Sequence, residues 1–347
     1  MGQKTTTEGS AMDVTQPASG GKTSRRAWII TAGALATLAA LYTGGWHVLA
    51  GRIEGRLLSA LAGQDEKGLS VDCRNMKSGG FPFSLSLHCS SLTADDVKHG
   101  ISTTLGASEA RVSLLSPNSV HSNSKGPVEI RSSRGQLVGE WQALTSDVDF
   151  GLSGMQAVRV NATGLKANFT DPGKGSAVQA RAERFSGFAD GASGDLATGV
   201  SMEGAVLSRN GTELPLPPLR IDASLKVAEG GDLVGRFDRQ ALYGRRGEIE
   251  RFAANLGEGR DIVVSGPFAV DEMGRISGKL QIEAKNVQSW LDAARQALPE
   301  ADGIIQSAGS LIRSYTKGNP DLSIDLTLKR GKVLIAGFIP VGEIPPL

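Results

Sequence analysis

Apolar and polar residues alternate along most of this chain, and this alternation restricts its possible folds more than any other feature. Residues 158–162 read VRVNA, and residues 322–328 read LSIDLTL. Side chains at positions i and i+2 lie on the same face of a β-strand. Similar runs recur, with Gly, Asn and Asp between them. The pattern predicts an extended antiparallel meander over roughly residues 68–285, with one apolar face and one polar, solvent-exposed face.

Composition agrees with many strands around a thin core. The 347 residues include 45 glycines but only ten phenylalanines, four tryptophans and three tyrosines. A chain rich in glycine and poor in aromatic residues favours short strands joined by turns. The formal net charge of +1 implies no general attraction to nucleic acid, which we therefore exclude as a partner.

Residues 28–50 contain no formal charge and are long enough for a helix to cross a hydrocarbon layer of about 30 Å. Lys22, Arg25 and Arg26 precede this segment. The positive-inside rule therefore places residues 1–27 in the cytoplasm, as a polar disordered tail. The predicted location is the inner membrane, with a single transmembrane pass and the main domain in the periplasm.

Two alternatives remain open for this segment. Val48-Leu49-Ala50 resembles a signal-peptidase site, which would make residues 28–50 a cleaved signal peptide. Arg25-Arg26 resembles a twin-arginine export signal. All three interpretations export the same domain. Residues 51–67 carry apolar positions at helical spacing and predict a helical stem that docks on the domain beginning at residue 68.

Cys73 and Cys89 are the only cysteines, and an even pair in an exported domain suggests a disulfide. A hairpin centred near Phe81 would place the two cysteines directly opposite each other. Opposed strand residues lie about 4.5–5.5 Å apart, within the range that a disulfide accepts. Two buried free thiols are the alternative. Metal binding is disfavoured because the chain lacks a CxxC spacing.

The residues between these cysteines form the most regular run of the chain, SGGFPFSLSLHC at residues 78–89. Its alternating apolar members would share one strand face with Cys89. We take them as a candidate apolar binding face: Phe81, Phe83, Leu85 and Leu87.

The second half of the chain shows two departures from the strand pattern. The proline-rich residues 214–218 cannot form a central strand. They predict a connection between two halves, 68–213 and 219–347. Beyond residue 286 the apolar period changes to that of helices, which predicts two helices before the chain returns to strands.

These features resemble a known family. The stretch WHVLAGRIE at residues 46–54, a cysteine before GGFPF and a second cysteine after it resemble a group of bacterial envelope proteins called domain of unknown function 2125. The resemblance extends from about residue 40 to the end. The back half is also similar in pattern to AsmA-like envelope proteins. That similarity implies long curved sheets whose apolar concave face is thought to carry lipids.

Catalytic patterns are missing from the sequence. The four histidines show no ligand spacing, and no HExxH, GxSxG or SxxK arrangement occurs. We therefore predict no enzyme activity, no cofactor and no metal.

The predicted fold is mainly β, with extended, curved antiparallel sheets, an N-terminal transmembrane helix and two helices near the C-terminus. The predicted function is a membrane-anchored periplasmic protein that binds or carries a lipid or other apolar ligand in a sheet groove. The alternative is a scaffold that has a filled core and docks other envelope proteins.

Overall fold

The computed structural model of the chain describes residues 32–46, 48, 69–152, 154–173, 175–235, 239–297, 302–316, 319–335 and 337–347. The chain divides into two compact units, Met1–Leu49 and Ala50–Leu347. In the first unit, residues 32–46 and 48 are helical and form α1.

The predicted tail, the predicted stem and the ends of the predicted membrane segment lie outside the described residues. Of the helices that lie within the described ranges, none is both long and apolar enough to cross a membrane.

The second unit is mainly β, as the alternation predicted, and its described strands form one antiparallel sheet. The strands up to residue 151 are β1 (Leu69–Arg74), β2 (Lys77–Gly79), β3 (Ser84–Cys89), β4 (Ser91–Asp96), β5 (Ile101–Leu105), β6 (Ser108–Ser113), β7 (Ser116–Ser124), β8 (Val128–Ser132), β9 (Gly135–Glu140) and β10 (Ala143–Gly151). The later strands are β11 (Gly154–Asp171), β12 (Ser176–Asp190), β13 (Leu196–Arg209), β14 (Thr212–Glu213), β15 (Leu219–Val227), β16 (Arg246–Asn255), β17 (Asp261–Val270), β18 (Ile276–Ala284), β19 (Leu322–Lys329), β20 (Lys332–Ile335) and β21 (Ile339–Glu343).

The first ten strands are halves of five longer strands, each interrupted once. The interruptions lie side by side. The Ser90 N–H donates to the Arg74 carbonyl at 2.9 Å, and the Lys125 N–H donates to the Ala107 carbonyl at 2.7 Å. The same line continues into β11 and β13, where the paired positions are skipped. We call this line the crease; its residues are 75–76, 90, 106–107, 125–127, 141–142, 164 and 204.

In most strands the crease shifts the apolar alternation by one residue. In β11 the apolar residues are Val158 and Val160 before Gly164, but Leu165 and Ala167 after it. Gly164 has φ of 61°, a conformation that favours glycine. Both alternating runs lie in a single 18-residue strand.

Directly paired residues lie on the same face of a sheet, so the registers define two apolar rows, one on each side of the crease. The first row is Leu85, Val112, Val120, Val148, Val158 and Ala189. The second row is Cys73, Leu92, Leu105, Val128, Gly139, Ala167, Ala180 and Leu207.

The predicted disulfide between Cys73 and Cys89 is confirmed, with a Cα–Cα distance of 5.5 Å. The predicted pairing is wrong, because Cys73 lies opposite Leu92. The turn occupies residues 80–83, closed by the Ser84 N–H donating to the Gly80 carbonyl at 3.0 Å. This places the hairpin's centre beyond Phe81, and the disulfide therefore crosses the crease diagonally.

Two groups of elements cover parts of the sheet's apolar face. The predicted helices are α2 (Val287–Ala297) and α3 (Asp302–Thr316). Between β15 and β16, two 3₁₀ turns occupy Gly231–Leu233 and Arg239–Leu242. A buried cluster near these turns contains Leu196, Val227, Leu233 and Val234.

Replacing both cysteines should lower the free energy of unfolding. The bond joins residues separated by 16 positions, and closing a loop of that length contributes about 3 kcal/mol. Urea unfolding followed by circular dichroism measures the difference between the unsubstituted chain and Cys73→Ser/Cys89→Ser. A reductant should destabilise the unsubstituted chain and leave the double variant unchanged. Equal stabilities of the two oxidised samples would contradict the prediction.

Gly106→Ala should also destabilise the sheet, because the added Cβ would lie 2.4 Å from the Lys125 carbonyl oxygen at the crease. Such overpacking costs about 1–3 kcal/mol. Gly342→Ala in β21 is the matched control, since its Cβ meets nothing within 4 Å. Thermal unfolding of the three chains tests this, and equal midpoints for both variants would show that the crease tolerates side chains.

Candidate functional site

An apolar cavity with a volume of about 640 Å³ lies between the sheet and α2. Its floor is the second row, from Val128 through Ala180 to Leu207. Met202 also lines the cavity, from the other side of the crease. Met202 is paired with Phe185, which lies four residues from Ala189 of the first row. The two rows therefore belong to one continuous apolar face.

Small residues create the space above this floor. Gly139, Ala167 and Ala180 are direct neighbours across three adjacent strands. A Cβ on Gly139 would lie 2.8 Å from Cγ1 of Val128, so the strands are already close at this point. Because only methyl groups or hydrogens occupy the centre of the row, these side chains leave free the space that leucines would fill.

The roof of the cavity is α2. Trp290, Ala293, Ala294 and Ala297 line the cavity at helical spacing. The start of α2 is fixed by the Val287 N–H, which donates to the Pro320 carbonyl at 2.9 Å. The Trp290 indole N–H is buried and has no hydrogen-bond partner among the described residues. A buried unpaired donor costs about 1–3 kcal/mol, so apolar packing must hold this side chain in place.

A second tryptophan forms part of the wall at the crease. Trp141 follows β9, and its indole N–H donates to the Ser124 carbonyl at 2.7 Å. This bond satisfies the only polar atom of the ring and leaves its apolar surface for the cavity.

Three charged residues, Glu140, Lys166 and Arg181, are among those that line the cavity, and all three are exposed. Lys166 and Arg181 alternate with Ala167 and Ala180 along their strands. Arg181 forms an ion pair with Glu213. The rest of the lining is mostly apolar, so the cavity offers mainly shape and apolar contact.

The apolar face continues beyond α2 towards the first strands. The members of the first row, from Leu85 to Ala189, are half-buried along its length. A filled sandwich core would bury such a row fully. Among the described residues, the face is therefore only partly covered along β3 to β10, and α2 closes part of it at the cavity.

The predicted binding face occupies a different place from the cavity. Phe81 and Phe83 lie in the turn between β2 and β3 and are 46% and 72% exposed. Leu85 and Leu87 lie on β3 and are half-buried. None of the four lines the cavity. The signal that would have located the cavity is the set of alternating small residues in β9, β11 and β12, together with the alanines of α2.

The opposite, polar face carries a separate network. His121 Nδ1 contacts Asp147, and both line a polar cavity of about 480 Å³. Within the residues that the structure describes, no group of three or more His, Cys, Asp or Glu is placed to hold a metal ion.

Asp149 belongs to this polar face. The Ser119 hydroxyl donates to Asp149 Oδ1 at 2.6 Å and is the largest cause that lowers the pKa of this carboxyl. Partial burial opposes the shift, and Arg159, 3.2 Å away, adds to the lowering. The network is an ordinary set of exposed cross-strand pairs.

The sequence was compared with protein families and with curated proteins. A family model described as "Uncharacterized protein conserved in bacteria (DUF2125)" matches residues 46–345. Among curated proteins, none matches the sequence.

Ser119→Ala should raise the pKa of Asp149 towards its ordinary value of about 3.9, because the largest stabilising hydrogen bond to the carboxylate is lost. A carboxyl with a lowered pKa stabilises the fold above its ordinary pKa, and this stability is lost as the pH falls through the lowered value. The variant should therefore lose stability at pH 7 and lose less at pH 2. NMR titration of the carboxyl carbon measures the shift. Ser122→Ala, which removes only a bond to Ser146, is the control and should leave the Asp149 titration unchanged.

Proposed function

The chain belongs to this family of uncharacterised bacterial proteins, and on that premise we propose that it is a non-enzymatic protein that binds the acyl chain of a lipid on its apolar sheet face. The family description names no activity, so the argument starts from the cavity. In the proposal, the acyl chain enters the cavity under α2 and extends along the open face beside the crease.

The observation that carries the proposal is the apolar cavity itself. Its volume of about 640 Å³ lies within the range of about 300–1,000 Å³ that is usual for ligand sites. Burying apolar surface there contributes about 25 cal/mol per Å². The mostly apolar lining favours a hydrocarbon chain over a polar metabolite.

The open face supports a long ligand. The half-buried first row and the small central residues of the second row flank the crease. Repeated breaks with glycine bend strands and raise their twist. Such bending would make the apolar face concave, as the similarity to AsmA-like proteins implies, and an acyl chain of many carbons fits a trough better than a closed pocket.

The proposed compartment is the periplasm, with the chain anchored in the inner membrane by residues 28–50. The disulfide between Cys73 and Cys89 supports an oxidising compartment. The uncharged segment and the basic residues before it support the anchor. The scaffold alternative, with a filled core, is less well supported because the face is open and the cavity is large.

Ala167→Phe should remove the binding site by filling the cavity floor. The test uses the full chain in phospholipid nanodiscs with a phosphatidylcholine that carries a diazirine on its acyl chain. After irradiation, mass spectrometry should find label on peptides of β11 and α2. The amount of label on the variant should be at least about tenfold lower than on the unsubstituted chain, the factor that corresponds to 1.4 kcal/mol.

Asn168→Phe is the matched control, because Asn168 is adjacent, exposed and on the other face. Its labelling should equal that of the unsubstituted chain. Thermal unfolding of both variants separates a filled cavity from a damaged sheet. Absence of label on β11 and α2 in the unsubstituted chain would reject lipid binding.

A further inference from the structure

Three neighbouring turns at one end of the sheet expose large apolar side chains. Phe83 lies in the turn between β2 and β3 and is 72% exposed. Leu114 and Leu115 lie between β6 and β7, and Leu115 is 88% exposed. Leu152 lies between β10 and β11 and is fully exposed. We call these side chains the apolar tip: Phe81, Phe83, Leu114, Leu115 and Leu152.

The tip is one continuous feature, because its turns are adjacent in the sheet. The Leu114 N–H donates to the Phe83 carbonyl at 3.0 Å. The third turn follows at the same end, since Ser119 of β7 is paired with Asp149 of β10. Three separate connections in the chain therefore place their apolar side chains together.

The other end of the same strands is different. Its turns contain Lys98 and His99 between β4 and β5, Arg134 between β8 and β9, and Asp171 at the end of β11. By contrast, the described residues from 80–83, 113–116 and 151–152 carry no charge at all. Among these strands, the turns at the end where β1 begins are charged and the three turns of the tip are not, while the next loop at the tip's end, between β12 and β13, carries Asp195.

The apolar tip is also continuous with the proposed ligand face. Phe83 precedes Leu85 by two residues, and Leu85 begins the first row. The row crosses the strands beside the tip, so a ligand that lies on the row is a few residues from all three turns, with no charged side chain of the row between them. The turns carry exposed apolar side chains at the sheet end, so they suit insertion among lipid chains, where each exposed apolar group gains contact.

We infer that the apolar tip inserts into a lipid bilayer surface and forms the place where the ligand enters or leaves the sheet. This inference rests on the proposed function, since the bilayer is the source or destination of the lipid. The uncharged turns favour a lipid surface over a protein partner, whose interfaces carry about one hydrogen bond per 100–200 Å².

Tryptophan quenching tests the insertion. The full chain is reconstituted in nanodiscs and mixed with phosphatidylcholine vesicles, with brominated lipid in the nanodisc in one sample and in the vesicles in another. Phe83→Trp should be quenched by one of the two bilayers, after subtraction of the signal from the four natural tryptophans. The sample that shows quenching identifies which bilayer the tip enters.

Val97→Trp is the matched control, because Val97 is 76% exposed in a turn at the end where β1 begins. Quenching of Phe83→Trp that is no greater than that of Val97→Trp in either sample would overturn the inference. A blue-shifted emission of Phe83→Trp without bromine quenching would also overturn it, because the tip would then be covered by protein or by a second copy of the chain.

A second variant set separates this inference from the proposed function. Adding Leu115→Ser and Leu152→Ser to Phe83→Trp should reduce the bromine quenching at least about tenfold, whereas adding Val97→Ser should not. Diazirine labelling of β11 and α2 should persist when Leu115 and Leu152 are replaced. Absence of cavity labelling in the unsubstituted chain would reject the ligand site alone. Equal quenching of Phe83→Trp with and without the two serine substitutions would reject the tip alone.

Discussion

The alignment of the strand breaks along the crease is the constraint on which the rest of this structure depends. A shift of one residue moves every following side chain of a strand to the other face of the sheet. In β11 the apolar residues change from Val158 and Val160 to Leu165 and Ala167, with Gly164 between them. The neighbouring strands break at the same place, and most of them show the same shift, as from Leu105 in β5 to Val112 in β6. The three residues between β7 and β8 instead keep Val120 and Val128 in phase, and the sheet keeps one apolar face across its width.

The hydrogen bonds and small residues at the crease make this arrangement possible. Gly106 has no room for a Cβ beside the Lys125 carbonyl, and its N–H donates to the Pro127 carbonyl at 3.0 Å. Backbone groups that leave the regular ladder thus still find partners, which a buried amide requires. The disulfide between Cys73 and Cys89 adds a covalent link across the same line.

The apolar face that results is too wide for the elements that cover it. Helix α2 closes part of the face over Ala167 and Ala180, and the 3₁₀ turns cover another part near Val227. The remaining first row is half-buried and lies beside the exposed turns around Phe83 and Leu115. Cavity, open row and tip thus form one apolar path, which is why we assign the proposed ligand and the proposed bilayer contact to the same face.

The sequence by itself determined the mainly β class, the disulfide partners and the two C-terminal helices, because alternation, cysteine number and helical period are local signals. It did not determine the register, so Cys73 was placed opposite Cys89 and not opposite Leu92. It also did not reveal the cavity, since Gly139, Ala167 and Ala180 are distant in sequence and each is unremarkable alone. Only the pairing of β9, β11 and β12 brings these three small residues side by side, because hydrogen-bond register joins residues that no local pattern relates.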